Sequence, residues 1–243
     1  MLLFRATCDA RPGSADNNQK DGIVKQTVER VNAGQAVYTP LTLKVYDHLV
    51  LGFSNRFLWR CPTSTLVDLY DRNASEVHLD VGVGTGYFLD KTAWPVENPD
   101  ITLLDLNSNS LEAAATRIAR YQPTTLKADI FEPIPLERKY RSVGLCYLLH
   151  CLPGPISEKG PVVFDNASAV TTPRGKIFGA TIVQGDTPRS YFAQALMNFY
   201  NRKGIFSNEE DTIPALRKVL SQRFDKFSIE QHGTVAVFEA ENP

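Results

Sequence analysis

The 243-residue chain lacks an excess of either charge, a cysteine framework and any long apolar run. Its 26 basic residues nearly balance 27 acidic ones, so no broad electrostatic footprint for nucleic acid is present. Its four cysteines include no CxxC pair, which excludes a disulfide framework or zinc site and favours reduced thiols. No run approaches the roughly 18 apolar residues of a membrane helix. These absences predict a soluble cytoplasmic protein with neither a nucleic-acid nor a membrane partner.

What the sequence does contain is enough apolar material, 43% of all residues, for a full core. Proline, glycine, serine, asparagine and charge dominate the start without hydrophobic periodicity, which predicts a mobile tail over residues 1–22. Apolar residues then return at helical spacing up to about Asn73, which predicts a helical cap over residues 23–75. We expect this cap to form a single domain (23–243) together with a core over residues 76–243.

Short apolar runs separated by turn residues begin at Val77 and predict strands. They are VHLDV (77–81), ITLLDL (101–106), TTLKADI (124–130), VGLCYLL (143–149) and KIFGATIV (176–183). The clearest intervening helix covers residues 110–121, with Asn109 and Glu112 as its expected cap pair. Strand alternating with helix predicts an α/β protein with a mostly parallel sheet. Residues 224–241, broken at His232 and Gly233, instead predict an antiparallel hairpin.

The segment HLDVGVGTGY places a strand with Asp80 near its end directly before Gly82, Gly84 and Gly86. Glycines here let the backbone turn sharply and let a ligand approach it, although a tight strand-to-helix turn without a ligand is the alternative. A dinucleotide fold has its third glycine one position later, where this chain has Tyr87, and the Asp80 carboxylate would repel a pyrophosphate. The amino group and sulfonium of S-adenosylmethionine suit that carboxylate better.

Two further carboxylates follow at successive strand ends. Asp105 is placed to accept both hydroxyls of a ribose. Asp129 is placed to accept an adenine amine while the next amide, of Ile130, donates to the ring. Taken singly, either aspartate fits helix capping better than ligand binding. Together, at the carboxyl ends of neighbouring parallel strands, they favour a ligand site.

These motifs resemble those of the class I S-adenosylmethionine-dependent methyltransferases, and the resemblance runs from about Val77 to the C-terminus. It implies a three-layer Rossmann-like methyltransferase fold: a seven-stranded, mostly parallel sheet with a C-terminal antiparallel hairpin and an N-terminal helical cap. The implied cofactor is S-adenosylmethionine. Its implied contacts are Tyr38, Asp80, Gly82, Gly84, Gly86, Asp105, Leu106, Asn107, Asp129, Ile130 and Tyr147. Tyr38 matches the position where many family members bring an aromatic side chain toward the methionine end.

The segment CYLLHCLPG (146–154) occupies the place where these enzymes put residues that face the transferred methyl group. It lacks the Asn-Pro-Pro-Tyr-like motif of enzymes that methylate amide or base amino groups. It also lacks the carboxylate of the metal-dependent catechol enzymes, so no metal is expected. His150, with an ordinary pKa of about 6.5, is the candidate general base. The alternative is a structural histidine that caps the strand end or is hydrogen-bonded in the cap interface.

The leading functional hypothesis is methyl transfer from S-adenosylmethionine to a small molecule. Plentiful aromatic residues near the expected cap favour an apolar acceptor pocket, and an oxygen of a phenol, enol or carboxyl group in a polyketide-like secondary metabolite is the favoured acceptor. Nitrogen, sulfur and carbon acceptors stay open, as do a monomer and a homodimer. The alternative is a protein of the same fold that binds the cofactor but catalyses a non-methylating reaction or serves as a binding partner. A nicotinamide oxidoreductase is a third hypothesis, which Tyr87 opposes.

Overall fold

The computed structural model describes residue 55, residues 57–184 and residues 189–243. The predictions for the tail (1–22), for most of the helical cap and for Tyr38 lie outside these described residues. The described helices are α1 (Thr63–Asn73), α2 (Tyr87–Lys91), α3 (Ser108–Arg117), α4 (Ile156–Ala169), α5 (Tyr191–Arg202) and α6 (Ile213–Ser221). The strands are β1 (Val77–Val81), β2 (Asp100–Asp105), β3 (Thr124–Lys127), β4 (Tyr140–Cys146), β5 (Thr171–Ile182), β6 (Lys226–His232) and β7 (Val235–Glu241).

The strands form one seven-stranded sheet in the order β3-β2-β1-β4-β5-β7-β6. β1 to β5 are parallel neighbours, whereas β7 lies antiparallel between β5 and β6. The chain order therefore reverses at β1, between β2 on one side and β4 on the other. This confirms the predicted fold class and its C-terminal hairpin, and a parallel sheet of this kind binds ligands at the carboxyl ends of its strands, near such a reversal.

Apolar side chains fill both faces of the sheet, which makes the fold three-layered. On one face, Phe164 of α4 and Leu216 of α6 pack with Ile177 of β5. On the other, Leu66 of α1 and Met197 of α5 pack with β-strand residues that include Phe178, the neighbour of Ile177. Alternation along the strand sends the two β5 side chains to opposite faces. Each fully buried side chain of this size contributes roughly 1.5 to 3 kcal/mol to the free energy of unfolding.

The element bounds confirm some predictions and correct others. β1 has the predicted bounds, but β4 begins earlier, at Tyr140. The backbone of Tyr140 pairs with Thr171 of β5, and its buried side chain donates its hydroxyl to Thr102 Oγ1 at 3.0 Å. The Asn109 cap is wrong: α3 begins at Ser108, and the side chain of Asn107 caps it by accepting the Asn109 N–H at 2.8 Å. Asn109 lies inside the first turn, where its N–H has no partner within the helix. Asn107, one residue before the helix, is placed to accept that N–H and is therefore the cap.

No helix in the described part of the chain has the length and apolar character that crossing a membrane requires.

Candidate functional site

The turn after β1 contains the three glycines of the predicted loop, all with positive φ. A Cβ at Gly82 would lie 2.8 Å from Cδ1 of Leu148, and one at Gly86 would lie 2.9 Å from Cα of Ala114. Packing against the α3 backbone therefore requires glycine at position 86, whereas at position 82 the neighbour is a flexible side-chain end and the positive φ favours glycine. A Cβ at Gly84 would meet nothing within 4 Å. Gly84 thus turns its bare backbone toward open space, as a ligand-binding loop needs.

That open space is a cleft at the carboxyl edge of the sheet, and the predicted cofactor residues that the structure describes all line it. They are Asp80, Gly82, Gly84, Gly86, Asp105, Leu106, Asn107, Asp129, Ile130 and Tyr147. The structure brings these residues together from β1, β2, the segment after β3 and the segment after β4. Asp80, Asp105 and Asp129 follow one another across three adjoining strands, which spaces three carboxylates along the cleft.

Asp105, the last residue of β2, lies in the middle of this series. One of its carboxylate oxygens accepts the Asn107 N–H at 2.8 Å, and backbone N–H groups of Gly84 and Val83 also donate to it. Burial nevertheless raises the pKa of Asp105 to about 6, and the nearby charge of Asp80 acts in the same direction. The carboxylate is ionised at neutral pH and is poorly hydrated, so hydroxyl donors from a ligand would stabilise it.

Asp80 lies at the end of β1 closest to the glycine loop. Its Oδ1 accepts the hydroxyl of Tyr70 at 2.7 Å and faces Nε2 of His78 at 3.4 Å. Sequence reasoning missed both partners. The spacing of His78 and Asp80 could have indicated one of them, because residues two apart on a strand share a face. Tyr70 comes from α1, and no sequence pattern connects it to β1.

Asp129 lies two residues beyond β3, so the predicted strand over residues 124–130 is too long. Its Oδ1 accepts the Phe131 N–H at 2.9 Å, and the Ile130 carbonyl accepts the side-chain amide of Asn166 at 2.8 Å. These bonds fix the backbone where it borders the cleft. The Asp129 carboxylate and the Ile130 N–H are therefore held as an acceptor and a donor at the end of the cleft beyond β2.

Tyr147, directly after β4, has a φ of 58°, in the left-handed region that residues other than glycine rarely adopt. Its N–H donates to the Ala180 carbonyl at 2.7 Å, and its hydroxyl donates to Oδ1 of Asn55 at 2.9 Å. The Asn55 amide in turn donates to Thr63 Oγ1 at 3.2 Å. Tyr147 therefore links the β4 end of the cleft to the segment that precedes α1.

His150 does not line the cleft, and its surroundings argue against the predicted general-base role. The residue is 3% exposed, its Nδ1 accepts the Ile182 N–H at 3.3 Å, and its ring packs on Phe206 at 4.6 Å between centroids. Burial lowers the pKa of His150 to about 3, with a smaller contribution from the charge of Lys159. A histidine that is neutral, engaged and enclosed matches the structural alternative that the sequence left open.

A second cavity adjoins the cleft and shares Cys151 and Pro153 with it. Its other lining residues include Phe206, Ser207, Glu209 and Glu210. Of the aromatic residues that follow β5, Phe206 borders this cavity, whereas Phe192 and Phe199 of α5 are exposed. Within the described ranges no three His, Cys, Asp or Glu side chains are grouped as a metal site. The expectation of no metal remains a prediction.

The chain matches no family model. It is 43% identical over 213 residues to the demethylluteothin O-methyltransferase of Streptomyces thioluteus. This alignment covers 87% of this chain and 92% of that protein. It is 36% identical to the physcion biosynthesis cluster O-methyltransferase of Aspergillus chevalieri, over 86% of this chain and 95% of that protein.

Solved structures show the same fold at low identity. The N-methyltransferase NodS from Bradyrhizobium japonicum WM9, in complex with S-adenosyl-L-homocysteine, superposes with a TM-score of 0.53 at 14% identity and covers 74% of this chain and 85% of that one. An O-methyltransferase family protein from Burkholderia thailandensis gives 0.59 at 13% identity, over 93% of this chain and 70% of that one. With relatives above 30% identity along most of its length, the chain belongs to the S-adenosylmethionine-dependent methyltransferases, among the small-molecule O-methyltransferases.

Proposed function

We propose that this enzyme methylates an oxygen of a small, polyketide-type secondary metabolite. The observation that carries the proposal is the series of carboxylates Asp80, Asp105 and Asp129 along one cleft, beside the open backbone of Gly84. This series suits a ligand that has hydrogen-bond donors at three places along its length. An amino group, a ribose diol and an adenine amine supply such donors in S-adenosylmethionine.

The residues of the cleft fit this cofactor part by part. Asp105 accepts the ribose hydroxyls, Asp129 accepts the adenine amine and the Ile130 N–H donates to the ring. Asp80 accepts the amino group, while Gly84 lets the cofactor approach the backbone. Leu106 and Asn107 border the space between the ribose and adenine positions. When bound, the cofactor supplies a methyl group already activated on a sulfonium.

The second cavity is the proposed place of the methyl acceptor, because it joins the cleft at Cys151 and Pro153, next to the β4 end. In this position the walls of the cavity align the acceptor oxygen beside the cofactor. Positioning of this kind supplies a large part of the rate of a displacement reaction. Phenols and enols of low pKa ionise in water, so His150, which is buried and lies outside the cleft lining, is not required as a base.

The printed names of the relatives support oxygen as the acceptor atom. One is a demethylluteothin O-methyltransferase, and another is the O-methyltransferase of a physcion biosynthesis cluster. These names also favour methyl transfer over the alternative of a non-methylating reaction. No comparable observation favours a nitrogen, sulfur or carbon acceptor.

The test begins with calorimetric titration of the purified chain with S-adenosylmethionine. Incubation with the cofactor and a panel of phenols, enols and carboxylic acids follows, with mass spectrometry of both products. We expect micromolar binding, formation of S-adenosylhomocysteine and a methyl ether or ester from at least one acceptor class. A folded protein that binds no cofactor contradicts the proposal as a whole. Binding without methylation of any acceptor in the panel supports the non-methylating alternative instead.

A further inference from the structure

A row of polar side chains, buried except for the half-buried Ser75, runs from the cofactor cleft along one face of the sheet. It starts at Asp80, whose Oδ1 faces Nε2 of His78 at 3.4 Å. Nδ1 of the same ring lies 2.8 Å from Oγ of Ser142, and that oxygen lies 2.9 Å from Oγ of Ser75. His78 pairs with Ser142 in the register of β1 and β4, so the row follows one face of two central strands.

The hydrogen-bond donors along this row have a consistent direction. The backbone N–H of Ser75 donates to Ser142 Oγ at 2.9 Å, while the Ser75 hydroxyl donates to the Val77 carbonyl at 3.1 Å. Because the Asp80 carboxylate oxygen that faces Nε2 is an acceptor, the contact at Nε2 is a hydrogen bond when the ring carries its proton there, and the Ser142 hydroxyl then donates to Nδ1. A neutral imidazole that accepts at Nδ1 carries its proton on Nε2. That proton points at the Asp80 carboxylate.

Packing holds the imidazole in this orientation. His78 is fully buried, and its ring lies between Phe178 and Trp94, at centroid distances of 5.8 and 5.5 Å. Gly144, the residue opposite Asp80 on β4, leaves the space that the pair needs. A Cβ there would lie 2.5 Å from Asp80 Oδ1 and 3.3 Å from the His78 ring. The ring therefore has neither an alternative hydrogen-bonding partner in water nor room to turn away.

Both groups that contact the Asp80 carboxylate lie at Oδ1, since the Tyr70 hydroxyl also donates there, at 2.7 Å. Oδ2 has no hydrogen bond from the residues that the structure describes, and Asp80 lines the cleft. We propose that His78 is a positioning residue for the cofactor: through Asp80 Oδ1 it turns Oδ2 toward the cofactor's amino group. This inference rests on the proposed function, in which Asp80 accepts that group.

The experiment compares two ligands by calorimetry, S-adenosylhomocysteine and 5′-methylthioadenosine. The second lacks the amino-acid part but keeps the ribose and adenine. In His78→Leu we expect about tenfold weaker binding of S-adenosylhomocysteine, the loss typical of a hydrogen bond to a charged group, and unchanged binding of 5′-methylthioadenosine. Unchanged affinity for 5′-methylthioadenosine also shows that the ribose and adenine part of the cleft is intact in the variant.

Two conservative variants test the two ring nitrogens of His78 individually. They also serve in place of His78→Leu if that variant fails to fold. His78→Gln keeps an amide donor near the Nε2 position and should restore most of the affinity for S-adenosylhomocysteine. His78→Asn keeps a polar atom near Nδ1, toward Ser142, but none toward Asp80, and should bind as weakly as His78→Leu. Equal affinities in these two variants would overturn the inference, because the contact to Asp80 would then be irrelevant.

The background Asp80→Asn tests whether His78 acts through the carboxylate. If it does, adding His78→Leu to this background has little further effect on the binding of S-adenosylhomocysteine. A full additional tenfold loss, or an equal loss for 5′-methylthioadenosine, means a general structural role and overturns the inference. If Asp80→Asn weakens binding and His78→Leu does not, only the His78 inference fails. If the wild-type chain binds neither ligand, the proposed function fails as well.

Discussion

At the scale of single residues, the carboxylate of Asp105 connects burial with ligand binding. Because the pKa of Asp105 is about 6, acidification of the free enzyme protonates this carboxylate. The protonated form has one acceptor fewer for a ribose hydroxyl. Because the cofactor binds the ionised form, its affinity must fall as the pH falls through that value. We expect the Kd for S-adenosylhomocysteine to be constant above pH 7 and to rise about tenfold per pH unit well below 6.

The matched variant is Asp105→Asn, which keeps the shape of the side chain but cannot ionise. It should bind S-adenosylhomocysteine at least about tenfold more weakly at pH 7.5 and show no rise in Kd toward pH 5. Calorimetry between pH 5 and 8 measures both. Wild-type affinity in the variant would remove Asp105 from the ribose site, and a pH-independent wild-type Kd would show that its ionisation is not linked to binding.

The role of His150 in catalysis can be tested directly. Its residue type indicates a general base, whereas its buried surroundings indicate a structural histidine. In His150→Asn, an amide oxygen near the position of Nδ1 can accept the Ile182 N–H, but no group can take a proton at neutral pH. We expect the single-turnover rate of methyl transfer to change by less than about threefold. A general base would lose on the order of 10². Single-turnover kinetics with the best acceptor from the panel distinguish the two outcomes.

The same histidine should make the folded state sensitive to acid. Its pKa is about 3 in the folded protein, below the ordinary value of 6.5, so from about pH 6 downward the unfolded chain binds a proton that the folded protein does not. The contribution of His150 to stability is thus complete above pH 6.5 and is lost as the pH falls toward 3, by about 1.4 kcal/mol per pH unit. Urea titrations of wild type and His150→Asn should show a smaller acid dependence in the variant. Parallel pH dependences would contradict this assignment.

At the scale of elements, a buried ion pair joins the start of α4 to the loop before α6 and to the wall of the acceptor cavity. Nζ of Lys159 lies 2.8 Å from Oδ2 of Asp211 and donates to the carbonyls of Leu152 and Ser207. Oδ1 of Asp211 accepts the Ile156 N–H at 2.7 Å. Burial lowers the pKa of Lys159 and raises that of Asp211. Both side chains are fully buried, so removing either partner leaves the other without its counter-charge and out of reach of water.

Asp211→Ala should therefore lower the free energy of unfolding by about 3 to 5 kcal/mol in urea denaturation. The double variant Lys159→Met with Asp211→Leu replaces the pair by apolar groups and should regain most of that loss. If Asp211→Ala were nearly neutral, the pair would not tie these elements together. If the double variant were as unstable as the single one, the hydrogen bonds of Lys159 to the two carbonyls would be the important contribution.

The elements also show how far sequence reasoning reaches. β1 was predicted with its bounds because the glycine loop ends it within a few residues. The start of β4 was missed because Arg141, exposed between Tyr140 and Ser142, interrupts the apolar run, whereas pairing with β5 decides the strand. The early start of β5 at Thr171 was missed because Pro173 and Gly175 look like a turn.

The candidate site divides in the same way. Residues in local motifs, such as Asp105 beside its strand end, were predicted and do line the cleft. Residues that matter through contacts between distant segments were not: Tyr70 from α1, Ser142 from β4 and the ion pair of Lys159 have no local signature. For His150 the sequence left a general base and a structural histidine open, because residue type and position say nothing about whether a ring faces the cleft or the core.

At the scale of the whole molecule, the cleft lies at the edge where both layers of helices meet the sheet. The glycine loop leads into α2 and contacts α3 on one face, while Asn166 of α4, on the other face, bonds to the Ile130 carbonyl. A bound cofactor therefore contacts segments that belong to both apolar clusters. Ligand binding should stabilise the two layers together, as one cooperative unit, rather than one layer alone.

Mass action fixes the size of that effect. At about 100 times its Kd, S-adenosylhomocysteine should raise the free energy of unfolding by about 2.7 kcal/mol. At the same concentration it should raise that of a variant that binds tenfold more weakly, such as Asp105→Asn, by only about 1.4 kcal/mol. Urea unfolding followed by the fluorescence of Trp59 and Trp94, which pack in one cluster, and by far-ultraviolet circular dichroism from both layers should give one midpoint that moves as a whole. Separate midpoints with ligand present would mean that the cofactor stabilises only the layer around α1, α3 and α5, and that the β3 end, with Asp129, does not hold the adenine.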